Sequence, residues 1–443
     1  MFLLDLFYLL AIAALSPWLV WRSIATGRYR NGLAAKLLGR IEVSNLDKKP
    51  VAWFHAVSVG EVNLLGTLVT AFRKRHPEWQ IVVSSTTDTG LAEARKLFAD
   101  LSVIPWPFDF SWAVSAALKA VSPALIVLTE SDLWPNFLQA AKQRNVPVIV
   151  VNARMSPRSF ARLKKVAGLA RRLLFGNITR FAVQEEDYAD RLRKLGVPDA
   201  ELVVTGSLKY DGAINERNAL KTTALRTFLF NENRGSDNTH SSDTVVLLAG
   251  STHAPEESIV LRVISQLRER FPQLCLILVP RHPDRFEEVA RLIEQSGLTF
   301  ARRSRIVEPL QELPEVILLD TVGELGAAWG LANVGFTGGS LDGKRGGQSM
   351  IEPAGYGVPC VFGPHVWNFK DAAKRLVEVG GALMVSDSLG LEIELARLIA
   401  DPELRIKMGT AARDLVRRQQ GATARTLDAI DALLPPTAVS QAA

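Results

Sequence analysis

Trp53-Phe-His-Ala-Val-Ser-Val-Gly-Glu61 decides how the chain is read. A short apolar run, Val51 to Phe54, stops at a loop containing Ser58 and Gly60. An amphipathic run follows, with Leu64, Leu65, Leu68, Val69 and Phe72 on one helical face. The pattern predicts strand, tight loop, helix, with Glu61 in the helix's first turn. In open α/β sheets, ligands bind beyond the carboxyl ends of the strands, where such a loop lies. A helix N-terminus favours the ionised carboxylate, which suits a base. Ser58-x-x-Glu61 fits a capping box equally well, in which the carboxylate only ties down the helix start. Both readings stand at this point.

The same alternation runs outward from that stretch. Ile81–Ser85, Ala124–Leu128, Val146–Val151 and Arg180–Gln184 read as strands buried on both faces. Thr89–Phe98 and Asn136–Arg144 read as helices between them. Alternating elements of this kind predict a parallel, doubly wound α/β sheet. Polar residues gather where the strands end: Thr86-Thr-Asp-Thr-Gly90, Thr129-Glu-Ser-Asp132 and Asn152-Ala-Arg-Met-Ser156. Each loop alone is an ordinary set of helix caps; several on one sheet edge point to a crevice. Glu130 and Asp132 are its most interesting acids, suited to binding hydroxyls or to shaping the electrostatics around Glu61. Thr205-Gly-Ser-Leu-Lys209 offers a turn followed by a cation, which fits an anion or a plain exposed lysine.

At 443 residues, two domains are expected. The first spans 45–211 and the second 244–425, joined by a linker over 212–243. The stretch Glu232–Asp243 has almost no apolar content and cannot join a core. The net charge of +6 predicts an anionic partner. Nucleic acid is not expected, because basic blocks with interleaved aromatics are not evident. Cys275 and Cys360 sit in apolar runs and read as reduced, buried strand residues. No Cys/His spacing suits zinc, and no Asp-x-Asp pair is present, so no metal or other cofactor is expected.

Residues 1–21 are mostly apolar and near the length of a membrane span. Asp5 and Pro17 weaken that reading, while Arg22, Arg28, Arg30, Lys36 and Arg40 follow on what would be the cytoplasmic side. A single N-terminal anchor is expected, or an amphipathic helix lying in the interface.

The second domain repeats the strand-then-polar-loop pattern at Val245–His253, with Glu256 and Glu257 as ordinary dipole partners of the next helix. It recurs at Leu274–Asp284, which places Arg281 and His282 at a strand end, and at Val316–Leu325. Val334-Gly-Phe-Thr-Gly-Gly-Ser340 runs a strand into a glycine-rich turn whose backbone N–H groups suit a phosphate. Arg345-Gly-Gly-Gln-Ser-Met-Ile-Glu352 follows, with Glu352 placed to accept hydrogen bonds from a ribose diol.

Glu352-Pro-x-x-x-Gly-x-Pro359 resembles the donor-nucleotide motif of GT-B glycosyltransferases, which have two Rossmann-like domains facing across a cleft. The wider set is similar to the 3-deoxy-D-manno-octulosonic acid (Kdo) transferases of Gram-negative bacteria. It comprises His55-x-Val-Ser-Val-Gly-Glu61, Glu130-x-x-Leu-Trp-Pro-Asn136, Asn152-Ala-Arg-Met-Ser156, Thr205–Lys209, Ser251-Thr-His253, Val279-Pro-Arg-His-Pro283, Gly323-Glu-Leu325, Gly338-Gly-Ser-Leu341 and Gly363-Pro-His365 with Asn368-Phe-Lys370. One position departs from the pattern. After Gly346-Gly347 the family has His or Gln and then Asn, whereas Gln348 is followed here by Ser349, whose reach is shorter.

The resemblance implies an inverting transfer of Kdo from CMP-Kdo to the lipid A precursor, lipid IVA, at the cytoplasmic face of the inner membrane. It implies Glu61 as general base, with Glu130 and Lys209 assisting the transition state. Arg281, His282, Gly323, Glu324, Leu325, Ser349, Met350, Ile351 and Glu352 would contact CMP. A sugar-nucleotide epimerase, or a GT-B transferase with another donor, is the competing enzyme class; the epimerase would need no membrane segment. A non-catalytic binder would tolerate loss of Glu61.

Overall fold

The stretch around Glu61 folds as strand, loop and helix: β1 (Val51–Ala56), then a helix over Val59–Arg75. The helix buries Val62, Leu65, Leu68, Val69 and Phe72, with Leu64 packed at the edge. The structure is a computed structural model and describes residues 4–14, 33–41, 43, 49–130, 132–213, 216–230 and 244–434. The chain divides into two compact units: Met1–Asp211 with Gln420–Ala443, and Gly212–Gln419.

The first unit holds β1 with β2 (Gln80–Ser85), β3 (Ser102–Pro105), β4 (Leu125–Thr129), β5 (Val148–Ala153), β6 (Arg180–Val183) and β7 (Leu202–Val204). They form one sheet in the order β3-β2-β1-β4-β5-β6-β7. The second unit holds β8 (Val245–Thr252), β9 (Leu274–Pro280), β10 (Phe300–Arg302), β11 (Val316–Leu318), β12 (Val334–Thr337), β13 (Cys360–Phe362) and β14 (Ala382–Met384). Their order is β10-β11-β9-β8-β12-β13-β14. Every strand pair among the described residues is parallel. Helices cover both faces, so central strands such as β1, β5, β8 and β9 are buried at every position. That explains their unbroken apolar runs. Strand order reverses between β1 and β4 in one sheet and between β8 and β12 in the other. At such switch points the loops at the strand ends diverge and leave room for a ligand.

The unit boundaries differ from the sequence-based ones. Part of the expected linker is a helix, Leu220–Phe230, whose Leu225 and Leu229 are buried with Trp329 and Tyr356 in the second unit. Thr222 Oγ1 donates to the Ala327 carbonyl at 3.2 Å. The polar stretch at 231–243 lies outside the described residues. At the far end, residues from Gln420 return to the first unit. Asp211 accepts the N–H of Gly421 at 2.7 Å, together with those of Ala422 and Thr423, and so caps the helix Ala422–Asp431. Arg75 closes the same helix through Asp428 at 2.7 Å and Asp431 at 2.8 Å.

Among the described residues no helix is long and apolar enough to cross a membrane. Residues 4–14 are helical, about 16 Å at 1.5 Å per residue. Residues 1–3 and 15–21 of the expected anchor lie outside the described residues. This helix is bound to the first unit by polar groups. Asp5 accepts the Ser111 N–H at 2.9 Å and the Asn136 side-chain N–H at 3.0 Å. The Tyr8 hydroxyl donates to Asp109 at 2.9 Å. Both Asp109 oxygens also take the N–H groups of Asn136 and Phe137, at 3.0 and 2.8 Å. The helix also exposes Leu6, Phe7, Leu9, Leu10 and Ile12.

Candidate active site

In the first unit, the loop after β1 is folded around the Glu61 carboxylate. Oε2 accepts the Val57 N–H at 2.9 Å, and Oε1 accepts the Ser58 hydroxyl at 3.3 Å. This is not a reciprocal capping box, because the Ser58 side chain bonds no N–H of the helix. Burial is the largest influence on Glu61 and pushes its pKa up to about 7. The charges of Glu130 and Asp132 push the same way, against the pull of the Val57 N–H and the Ser58 hydroxyl. The expectation that the helix start favours ionisation is corrected here. Desolvation and two neighbouring carboxylates outweigh a dipole contribution of about 1 kcal/mol or less.

Glu130 follows β4 in left-handed backbone, with φ 61°. Its carboxylate is nearly buried, pairs with Arg154 at 2.8 Å and lies 3.4 Å from the side-chain nitrogen of Asn152. Asn152 is also left-handed, φ 52°, at a register shift between β5 and β6. Its Oδ1 takes the Leu208 N–H at 3.1 Å, on the turn Leu208–Tyr210 that carries Lys209. One asparagine therefore ties the Glu130 loop to the Lys209 loop.

His55 stands in the motif before Glu61, but nothing local in the sequence marks its role. The ring is fully buried and stacked on Trp106, with centroids 3.7 Å apart. Trp53 Nε1 donates to Ser84 Oγ at 2.8 Å, and Ser84 Oγ lies 2.9 Å from His55 Nδ1. His55 Nε2 lies 3.1 Å from Asp132. Burial lowers the His55 pKa, so the ring is neutral. A carboxylate can only accept, so the ring proton sits on Nε2 and is donated to Asp132. A chain from the sheet interior thus fixes the carboxylate that, with Glu130, raises the Glu61 pKa.

In the second unit, the glycine-rich turn after β12 does not present free N–H groups to a phosphate. The Glu256 carboxylate, completely buried, accepts the N–H groups of Gly339 (2.6 Å), Ser340 (2.9 Å), Leu341 (3.1 Å) and His253 (3.1 Å). Glu256 is the clamp of this turn and not an ordinary dipole partner. Around the clamp stand Arg281 and His282, both exposed at the end of β9. The His282 ring lies 5.1 Å from that of His253. Ser251, at φ 54°, sits at a register shift between β8 and β9, as Asn152 does in the first sheet.

Gly323 is left-handed, φ 93°, and Glu324 pairs with Arg303 at 3.0 Å. Leu325 opens the helix Leu325–Ala328. Met350 and Ile351 are core residues, 0% and 2% exposed. Only their backbone can face a ligand. Ser349 is half-buried beside them. Glu352 stands in the first turn of Ile351–Gly355. Burial pushes its pKa up and Arg281 opposes this. Both cysteines are buried and free; burial pushes the Cys275 thiol up to about 12.

Residues 31–212 match the family profile described as 3-deoxy-D-manno-octulosonic-acid transferase (kdotransferase). The chain is 33% identical to the 3-deoxy-D-manno-octulosonic acid transferase of Haemophilus influenzae, over 92% of both chains. It is 33% identical to that of Bordetella pertussis, over 96% of this chain and 98% of the other. The chain belongs to the 3-deoxy-D-manno-octulosonic acid transferase family. A Kdo transferase is a glycosyltransferase, and the epimerase and non-catalytic readings fall away at these identities. The fold alone is shared more widely. MurG of Acinetobacter baumannii matches with a TM-score of 0.53 at 14% identity, over 87% of this chain and 99% of the other. A putative UDP-N-acetylglucosamine 2-epimerase of Listeria monocytogenes matches with 0.52 at 14%, over 87% and 96%. The two parallel-sheet α/β units of this Kdo transferase thus resemble those of GT-B glycosyltransferases.

Proposed function

We propose that this Kdo transferase moves Kdo from CMP-Kdo onto lipid IVA, the lipid A precursor, with Glu61 as the general base. Glu61 takes the proton of the acceptor sugar hydroxyl. The oxygen attacks the anomeric carbon of Kdo, the bond to the CMP phosphate breaks, CMP leaves and the configuration inverts. The observation that carries this reading is the Glu61 carboxylate itself. It is held by the Val57 N–H at a sheet switch point, with a pKa of about 7. A base of that strength is ionised enough to act near neutrality and still accepts a proton readily.

Glu130 and Lys209 stabilise charge in the transition state from the loops that Asn152 links. The second unit holds the donor: Arg281 and His282 take the phosphate, and Glu352 takes the ribose hydroxyls. Support for the last role is that, among the described residues, no group donates to the Glu352 carboxylate, although burial raises its pKa. Gly323, Glu324, Leu325, Ser349, Met350 and Ile351 line the nucleotide, the last two through backbone. The cations supply the charge that a monophosphate leaving group needs, and no metal takes part. The exposed apolar residues Phe7 and Leu10 of the 4–14 helix rest in the headgroup layer of the inner membrane's cytoplasmic face, where the acceptor resides.

The test is incubation of the full chain with CMP-Kdo and tetraacylated lipid A precursor, with a chelator present, and resolution of products by mass. The expected product is precursor heavier by one or more Kdo residues. Unchanged precursor from a folded, CMP-binding protein contradicts the donor or acceptor assignment.

A further inference from the structure

We propose that Arg345, Gln348 and His253 form a separate subsite for a carboxylate, the one that a 2-keto acid sugar donor carries on its anomeric carbon beside the phosphate ester. The proposal rests on the donor assignment above and adds to it the group that recognises the sugar.

Three side chains converge on Gly339, at φ 67°. A Cβ built there would lie 3.3 Å from Arg345 Cβ, 3.3 Å from His253 Cδ2 and 3.5 Å from Gln348 Cγ. Glycine there lets the Arg345, His253 and Gln348 side chains stand in direct contact with the backbone of the turn. Its own N–H is unavailable, because Glu256 takes the N–H groups of Gly339, Ser340 and Leu341. An anion arriving here has to be met by side chains.

The surroundings are positive. His253 is 4% exposed, and its Nε2 lies 3.4 Å from the Gln348 side-chain nitrogen. Burial, then Arg345, His282 and Arg281, hold its pKa down to about 4, with Asp342 opposing them. Among the described residues neither Arg281 nor Arg345 is in an ion pair. Arg345 is exposed, whereas Arg302, on another edge of the same sheet, is paired with both Glu287 and Asp320. Unpaired cations gathered on one strand-end edge raise the local concentration of anions.

The donor's chemistry supplies two anionic groups on one carbon: a phosphate ester and a carboxylate. Arg281 and His282 account for the first. Arg345, with the Gln348 amide held by His253 Nε2 as acceptor, accounts for the second. A guanidinium pairs with a carboxylate in a planar, bidentate way that also fixes its orientation. The sugar ring is thereby held in one rotation about the bond that breaks. CMP alone does not use this subsite.

The experiment compares KM for CMP-Kdo with the inhibition constant of CMP, using the full chain and its Arg345→Gln, Arg345→Lys and Gln348→Ala variants. The subsite predicts at least a tenfold rise in KM for Arg345→Gln, a smaller rise for Gln348→Ala, partial rescue by Arg345→Lys, and CMP inhibition within twofold of wild type throughout. Equal loss of CMP-Kdo and CMP overturns it, because Arg345 would then serve the nucleotide or the fold. Unchanged constants for both ligands overturn it as well. A wild-type chain that binds CMP but neither turns over CMP-Kdo nor binds it more tightly refutes the donor reading, and this proposal with it.

Discussion

At the scale of single residues, the protein interior sets the proton affinity of Glu61. A carboxylate in the first turn of a helix is ordinarily more acidic. Here burial and the charges of Glu130 and Asp132 raise its pKa to about 7. The sign of the pH effect follows. A base works when deprotonated, so kcat/KM falls as pH drops below about 7. Asp132→Asn removes one repelling charge, so the acidic limb should move to lower pH, and a pH–rate series on that variant checks it. An unmoved limb means that Asp132 does not act through Glu61. His55, in β1, and Asp132, in the loop after β4, are 77 residues apart, and their pairing was not legible in sequence. The local pattern of each is an unremarkable strand residue and an unremarkable cap. What joins them is the adjacency of β1 and β4 in the sheet, which periodicity predicts only as a class.

At the scale of elements, the strands read well because a parallel sheet covered on both faces demands continuous apolar runs, and β1, β5, β8 and β9 supply them. The helix after β1 read well because its buried residues keep a period near 3.6. Loop chemistry read less well. Gly338-Gly339-Ser340 has the composition of a phosphate cradle, yet a glutamate 84 residues before Ser340 in sequence occupies it. Nothing local distinguishes Glu256 from its neighbour Glu257, which pairs with Arg285. Glu256→Gln keeps the size but loses the charge and one acceptor. It should cost about 3 kcal/mol in denaturant unfolding, as expected for a buried, charge-assisted cluster left incomplete. CMP binding should weaken with it. An unfolding free energy within a few tenths of wild type would show that the clamp is dispensable.

At the scale of the whole molecule, the chain builds the same device twice. Each sheet reverses order at its centre, and a bulged, left-handed residue, Asn152 or Ser251, stands at a nearby strand end. Such bulges re-aim side chains beside active sites. The sequence showed two α/β domains but misplaced their edges, since the helix Leu220–Phe230 and the return of the chain at Gln420 are settled by packing against distant cores. Among the described residues no helix is long and apolar enough to cross a membrane, and Asp5 and Tyr8 bind the helical residues 4–14 to the first unit. The exposed Leu6, Phe7, Leu9, Leu10 and Ile12 of that helix, on a protein of net charge +6, suit an anionic membrane surface. Phe7→Ala with Leu10→Ala should lower partitioning onto anionic phospholipid vesicles by about tenfold or more, read by sedimentation. Unchanged partitioning would place membrane contact elsewhere in the chain.

The most direct test of the central claim is Kdo transfer from CMP-Kdo to the tetraacylated precursor by wild type and Glu61→Ala, with CMP binding measured on both. The account predicts a loss of turnover of about 10²–10⁴-fold, the usual share of a general base, with CMP affinity unchanged. Turnover retained in the variant would contradict it and leave Glu61 as a residue that only ties down its loop.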